Sequence, residues 1–266
     1  MLNKLLKYEL KATGRIFLPL FLALMLFAVI NRFMLSPEKF DTPAMISMAI
    51  YIIIMVGMFV MTFIMMIQRF HKNLLSDEGY LMLTLPVKPW KHIVSKLFVS
   101  MLWMVVSGIT ALLSILIIAL KKGDLTQFAK GFAALHQQAF KELGTLLYLM
   151  SFEMIIGLLI GLASGILIIY ASITIGHLFN KHKMLASFGA FIGLSTFSEI
   201  LSKLFSLIIP RIAHFSNIHI SSYSDFIGMQ PILQLMIASG IIITGLLSVA
   251  YFSVTNYILS KRLNLE

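Results

Sequence analysis

The sequence predicts an all-α membrane protein with six transmembrane helices, and three observations carry that prediction. Of the 266 residues, 59% are hydrophobic and only 12% are charged, against roughly 25% in a typical soluble domain. The mean hydropathy is +0.94. The apolar residues fall in stretches near the length of about 20 that a helix needs to cross a bilayer core. A soluble enzyme, a disordered chain and a nucleic-acid reader are excluded by this composition. The net charge of +10 is therefore assigned to the membrane faces, where Lys and Arg collect. The chain has no cysteine, so disulfides, zinc–thiolate sites, iron–sulfur clusters and thiol catalysis are excluded as well.

The elements follow in order. In residues 1–15, Lys4, Lys7, Lys11 and Arg15 form one basic stripe at helical spacing, while Leu2, Leu5, Leu6 and Leu10 gather on another side. This is either a plain positive anchor or an amphipathic elbow helix lying on the inner leaflet. Ile16–Asn31 is the first apolar stretch, bounded by Arg15 and Arg32, with Pro19 expected in its first turn, where a missing N–H costs least. No small-x-small pattern follows Ile30, which argues for a retained span over a cleaved signal peptide. The later spans are expected at Thr42–Gln68, Leu97–Leu120, Leu143–Asn180, Met184 to about Ser198, and Ile232–Ser260. The fourth is broken by Glu153 alone and exceeds one straight crossing. Six crossings return both termini to one side. Thirteen Lys and Arg against eight make that side the cytoplasm, by the preference of positive residues for inner loops. The whole chain, 1–266, is expected to be a single transmembrane domain.

Three segments lie outside these spans. The inner loop 68–92 is much longer than a connector requires, and it carries Leu74, Leu75, Tyr80, Leu81, Met82, Leu83 and Leu85. Ser76 or Asp77 suits the cap of a short helix beginning near Glu78, and Pro86 would stop it. Asp77 and Glu78 are acidic within an otherwise basic face. The loop is either a capped turn with a Trp90/Lys91 interfacial anchor, or a docking helix that enters a groove on a separate protein. On the outer side, 121–143 predicts an amphipathic helix. Asp124 and Gln127 have capping-box spacing, and Leu125, Phe128, Phe132 and Leu135 recur on one face. It is expected to lie on the outer leaflet or to close over the outer end. The apolar residues of 200–231, interrupted by Pro210, Gly228 and Pro231, suggest an outer re-entrant segment.

Catalytic chemistry finds no support. No glycine is followed by lysine, so the phosphate-cradling Gly-x4-Gly-Lys loop is missing. His-Glu-x-x-His and metal-binding carboxylate clusters are also missing, so no catalytic residue and no metal site is expected. The serine within Gly161–Gly165 is off-centre for a hydrolase motif, and His177 and His182 read as surface residues. Gly157, Gly161 and Gly165 share one helix face and predict close helix packing, within this chain or against a second subunit. Glu153 and Glu199 are carboxylates at membrane depth, functional candidates by their desolvation cost. Lys203 stands four residues after Glu199, the spacing of a local ion pair.

The run Lys72-Asn73-Leu74, Asp77-Glu78-Gly79-Tyr80-Leu81 and Thr84-Leu85-Pro86-Val87 resembles the loop between spans two and three of bacterial ABC permeases of the type-two exporter class. Leu5-Leu6-Lys7-Tyr8-Glu9-Leu10-Lys11 is similar to the amino terminus of the same permeases. The resemblance implies a half-transporter in a bacterial cell membrane that pairs with a second permease subunit. Each subunit would dock a cytoplasmic ATPase, which holds the ATP and Mg, while this chain carries no cofactor. It further implies that residues 76–86 are a coupling helix, with Ser76 at its start and Asp77, Glu78, Tyr80, Leu81 and Leu85 against the ATPase. Gly79 would permit close approach and Pro86 would end the helix. The expected cargo is amphipathic or lipophilic, such as a peptide, because 21 Phe and 18 Met offer adaptable apolar walls. Two alternatives stand beside this reading: a proton-coupled secondary transporter using Glu153 and Glu199, and a membrane immunity or structural protein that moves nothing.

Overall fold

The computed structural model describes residues 2–34, 41–75, 88–120, 124–179, 181–212 and 223–261, without the side chains of 124–125, 206–212 and 223–233. Among the described residues all regular structure is helical: α1 (Leu2–Met34), α2 (Thr42–Leu75), α3 (Pro89–Ala119), α4 (Asp124–Leu143), α5 (Leu146–Gly176), α6 (Lys183–Ile212) and α7 (Tyr223–Lys261). All but α4 are long and apolar enough to cross a membrane, so the chain is a multi-pass helical membrane protein.

The helices outrun the apolar stretches that predict them. α1 is one helix of 33 residues, about 50 Å long at 1.5 Å per residue. Residues 2–15, expected as a segment apart from the first span, run into it without a break. Pro19 consequently stands inside the helix and not in a first turn, and the carbonyl of Arg15 loses its intrahelical donor. Buried partners of Glu9 and Thr13, described below, hold the preceding turns in place. α2 continues past Gln68 to Leu75, and α3 opens at Pro89, about two turns before Leu97. Proline suits that first position, where the N–H has no helical acceptor. α5 is shorter than the expected Leu143–Asn180, yet its 31 residues still reach about 46 Å. α6 extends well beyond Ser198, which places Glu199 and Lys203 inside it. Of the segment expected to be re-entrant over 200–231, residues 200–212 continue α6 and 223–231 open α7 as unbroken helix. The remainder lies outside the described residues.

The chain divides into two compact units, one built on α1–α4 and the other on α5–α7. In the first, Phe17, Phe21, Leu24 and Ala28 repeat along one face of α1 and pack with Tyr51, Met58 and Met65 of α2 and Val99, Trp103 and Ala111 of α3. Short polar side chains bridge these spans. Asn31 donates to the Ser47 carbonyl at 3.3 Å, Tyr51 and Ser114 share a hydrogen bond of 2.8 Å, and Thr62 and Ser107 one of 3.1 Å. Arg32 reaches the Ile117 carbonyl at 3.3 Å, consistent with parallel α1 and α3.

In the second unit α5 packs against both α6 and α7. Ile166, Leu167, Tyr170, Ala171 and Ile173 of α5 are buried, as are Tyr251, Ile258 and Leu259 of α7. The α5–α6 turn brings the two backbones very close: a Cβ on Gly176 would lie 1.9 Å from Ser187 Oγ and 2.6 Å from its backbone nitrogen.

Candidate functional site

The most developed polar site lies in the first unit, where the apolar stretches of α1, α2 and α3 end. Glu9 precedes the first stretch, Arg69 follows the second and Lys96 immediately precedes the third. On α1 the cations Lys4, Lys7, Lys11 and Arg15 are exposed, while Glu9 and Thr13, on the other side of the helix, are buried. Lys96 Nζ donates to Glu9 Oε1 at 2.7 Å, and Arg69 Nη1 lies 3.6 Å from Glu9 Oε2. The Lys96 side chain is 2% exposed and that of Glu9 11%, whereas Arg69 at 27% keeps water contact. A lysine so buried is tolerable only beside a fixed counter-charge, because desolvating either ion alone costs several kcal/mol.

The cluster continues into the core. Trp103 Nε1–H donates to Thr13 Oγ1 at 2.7 Å, and the Thr13 hydroxyl donates back to the Glu9 carbonyl at 2.8 Å. The indole stacks on Phe17 with centroids 4.6 Å apart. His92, one turn before Lys96, is 1% exposed and its Nε2 has no hydrogen-bond partner among the described residues. The cleft beside Glu9 is lined by Thr13, Thr62, Arg69, Lys96, Ser100 and Trp103, and it encloses ≈ 20 Å³. The arrangement ties α1, α2 and α3 together at one level.

The residues singled out from sequence fall elsewhere. Ser76, Asp77, Glu78, Gly79, Tyr80, Leu81, Leu85 and Pro86 lie outside the described residues. At the start of α3, Lys91 sits 5.6 Å over the Trp90 ring, as expected of an interfacial anchor. In the second unit Glu153 Oε2 is buried with no partner among the described residues. Glu199 accepts from Lys203 at 2.7 Å, with side chains 66% and 70% exposed, so the expected i,i+4 pair forms on an open face of α6. Of the three glycines expected to share a packing face, Gly157 meets a neighbouring helix among the described residues. A Cβ on Gly157 would meet Ile241 of α7 at 3.3 Å, whereas one on Gly161 or Gly165 would meet nothing within 4 Å among the described residues. Among the described residues there is no group of three or more potential metal ligands.

Sequence reasoning missed Glu9, Arg69 and Lys96 as a set. Arg69 and Lys96 entered only as members of a basic inner face, and Glu9 only within the amino-terminal resemblance. A signal existed: Glu9 is the sole acidic residue before Glu38, set opposite a stripe of four cations. Its partners, 60 and 87 positions away, carry no comparable mark.

Comparison of the chain with protein-family models, with curated proteins and with solved structures finds no match in any of the three. Function is therefore read from the physical features of the chain and from the resemblance of the loop between α2 and α3.

Proposed function

We propose that this chain is the membrane-spanning subunit of an ATP-driven ABC exporter in a bacterial cell membrane, with both termini in the cytoplasm. It pairs with a second permease subunit. Each permease receives a cytoplasmic ATPase on the loop between α2 and α3, and ATP and Mg belong to that partner. Closure of the ATPase on nucleotide pushes residues 76–86, and the push tilts the spans so that the cargo path opens outward. The cargo is amphipathic or lipophilic, such as a peptide.

The observation that carries this reading is the Glu9–Lys96–Arg69 joint. α2 and α3 both project beyond their apolar stretches towards the acidic, apolar loop. At that level a buried ion pair fastens α3 to α1, with Arg69 of α2 beside it. A loop meant only to connect two spans needs no such brace, whereas a loop that receives force needs one to pass the force into the bundle. The N-terminal turns of α1, in place of a free elbow, form part of the brace. The unburied apolar face of α6 and the open Gly161 and Gly165 leave surface for a second subunit.

The test is affinity purification in mild detergent from cells that hold the whole assembly. An ATP-binding protein should co-elute at one per permease, and a variant with Asp77→Ala, Glu78→Ala and Tyr80→Ala together should lose both co-elution and stimulated hydrolysis. Unchanged co-elution in that variant overturns the docking assignment. A second reading, proton-coupled transport, is favoured by one observation, the buried Glu153 Oε2 with no partner among the described residues. It requires flux in vesicles of the purified chain alone that collapses with the proton gradient and is lost in Glu153→Gln.

A further inference from the structure

The geometry points to α4 as an interfacial helix that lies in the headgroup layer at the ends of α3 and α5, with its Phe128–Phe132–Leu135 face in the lipid. Among the described side chains of α4, Phe128 is 51% exposed, Phe132 67% and Leu135 68%. These three occupy one narrow arc of the helix with Ala139, and Lys130, Gln137 and Lys141 occupy the opposite arc. Such a face finds no shelter in water, so something outside the helix covers it.

Tethering identifies the occupant. α3 ends at Ala119 and α4 begins at Asp124, a link that spans no more than about 18 Å when extended. At the other end Gly144, at φ 56°, donates its N–H to the Phe140 carbonyl at 2.8 Å. That left-handed residue closes α4 and returns the chain to α5 at Leu146, within about 10 Å. Both flanking helices are spans that end at the same membrane face. α4 itself is about 30 Å long. A rod of that length, fastened at both ends so close to one plane, lies along the plane. The surface it meets there is lipid. Asp124 and Glu142 balance Lys130 and Lys141, so the contact is apolar and needs no anionic lipid.

The inference rests on the six-span fold and not on the exporter reading, so either can fail alone. The chain has no cysteine, which permits a direct test in the full-length protein. Phe132→Cys and Leu135→Cys on the apolar arc, with Lys130→Cys and Gln137→Cys on the polar arc, are each nitroxide-labelled and reconstituted in phosphatidylcholine vesicles. Labels at 132 and 135 should collide with oxygen several-fold more than with a water-soluble nickel complex, labels at 130 and 137 the reverse, and high salt should change neither. Nickel access at 132 and 135 equal to that at 130 and 137 overturns the inference in favour of a helix standing in water. Labels at 132 and 135 shielded from both reagents overturn it in favour of a protein cover, a second copy included. The labels at 130 and 137 report whether the helix folds, because they leave its apolar arc intact.

Discussion

The spans of the first unit are joined by several buried polar side chains, whereas most hydroxyl bonds among the described residues of the second unit stay within one helix. Glu9–Lys96, Thr13–Trp103, Thr62–Ser107 and Tyr51–Ser114 each cross between two helices of α1–α3. In α5–α7, Ser172, Thr174, Ser248 and Thr255 each bond the carbonyl of the preceding turn. Ser198 and Tyr251 do link α6 to α7. α5 also makes a close backbone approach at Gly176 and a contact at Gly157. Burial follows the same division. Among the described residues the apolar windows of α1, α2 and α3 are each 28% buried, that of α5 22%, that of α7 11%, and that of α6 0%, so the gap lies mainly at α6 and α7. Lipid is as apolar as leucine, so burial of apolar surface does not itself drive spans together; hydrogen bonds and tight packing do. The first unit is thus specified internally, and the second leaves surface for something else to complete.

This contrast breaks most sharply at Glu9. Glu9→Ala takes the carboxylate 2.7 Å from the buried Lys96 ammonium away and should cost about 3–5 kcal/mol, read as a large fall in the melting temperature of the detergent-purified protein. The double variant Glu9→Leu/Lys96→Met removes both charges and should recover most of the loss. If Glu9→Ala alone melts like the parent, the ion pair is not what holds the first unit. In the second unit the corresponding blow is steric. Gly176→Ala places a methyl group where Ser187 Oγ and the Ser187 backbone already stand, at a cost of about 1–3 kcal/mol in the melt. Adding Ser187→Gly should restore only part of it, because the backbone nitrogen and Cα of residue 187 remain in the way. Full rescue by Ser187→Gly would mean that only the hydroxyl blocks the site.

The spans were legible in the sequence because membrane crossing is a matter of length and composition, and both are local. Ile16–Asn31, Thr42–Gln68 and Leu97–Leu120 each lie mainly within one long helix. The ends were not legible, since hydropathy reports where lipid stops and not where the helix does. Lys96 and Arg69 are polar in any window, yet they prolong α3 and α2 because a partner on another span satisfies them. Pro19, a helix-opening residue by local preference, stands inside α1 because residues 2–15 belong to the same helix. Glu199–Lys203 was legible because its partner is four residues away; Glu9–Lys96 was not, because its partner is 87 residues away.

Smaller effects sharpen the comparison. Trp103→Phe keeps the stack on Phe17 but removes the donor to Thr13, and should lower stability by about 1 kcal/mol, with Thr13→Val giving a similar loss and the double variant little more than either. Strict additivity of the two in thermal melts would show that the indole and the hydroxyl act separately. The finest test concerns what completes the second unit. Gly161 sits in the helix with open space where a side chain would go, so Gly161→Ala should be neutral or stabilise the isolated chain by about 0.5–1 kcal/mol through helix propensity. Gly157→Ala, whose methyl would press on Ile241, should gain less or lose. If Gly161 faces lipid, the variant keeps that gain in every preparation. If it faces a second permease subunit, the gain in the monomer is accompanied by a drop in subunit cross-linking, because the added methyl group holds the two helices apart. Cross-linking in the membrane and melting in detergent thus report on the same atom position, and their disagreement would identify the open glycine face as a subunit contact.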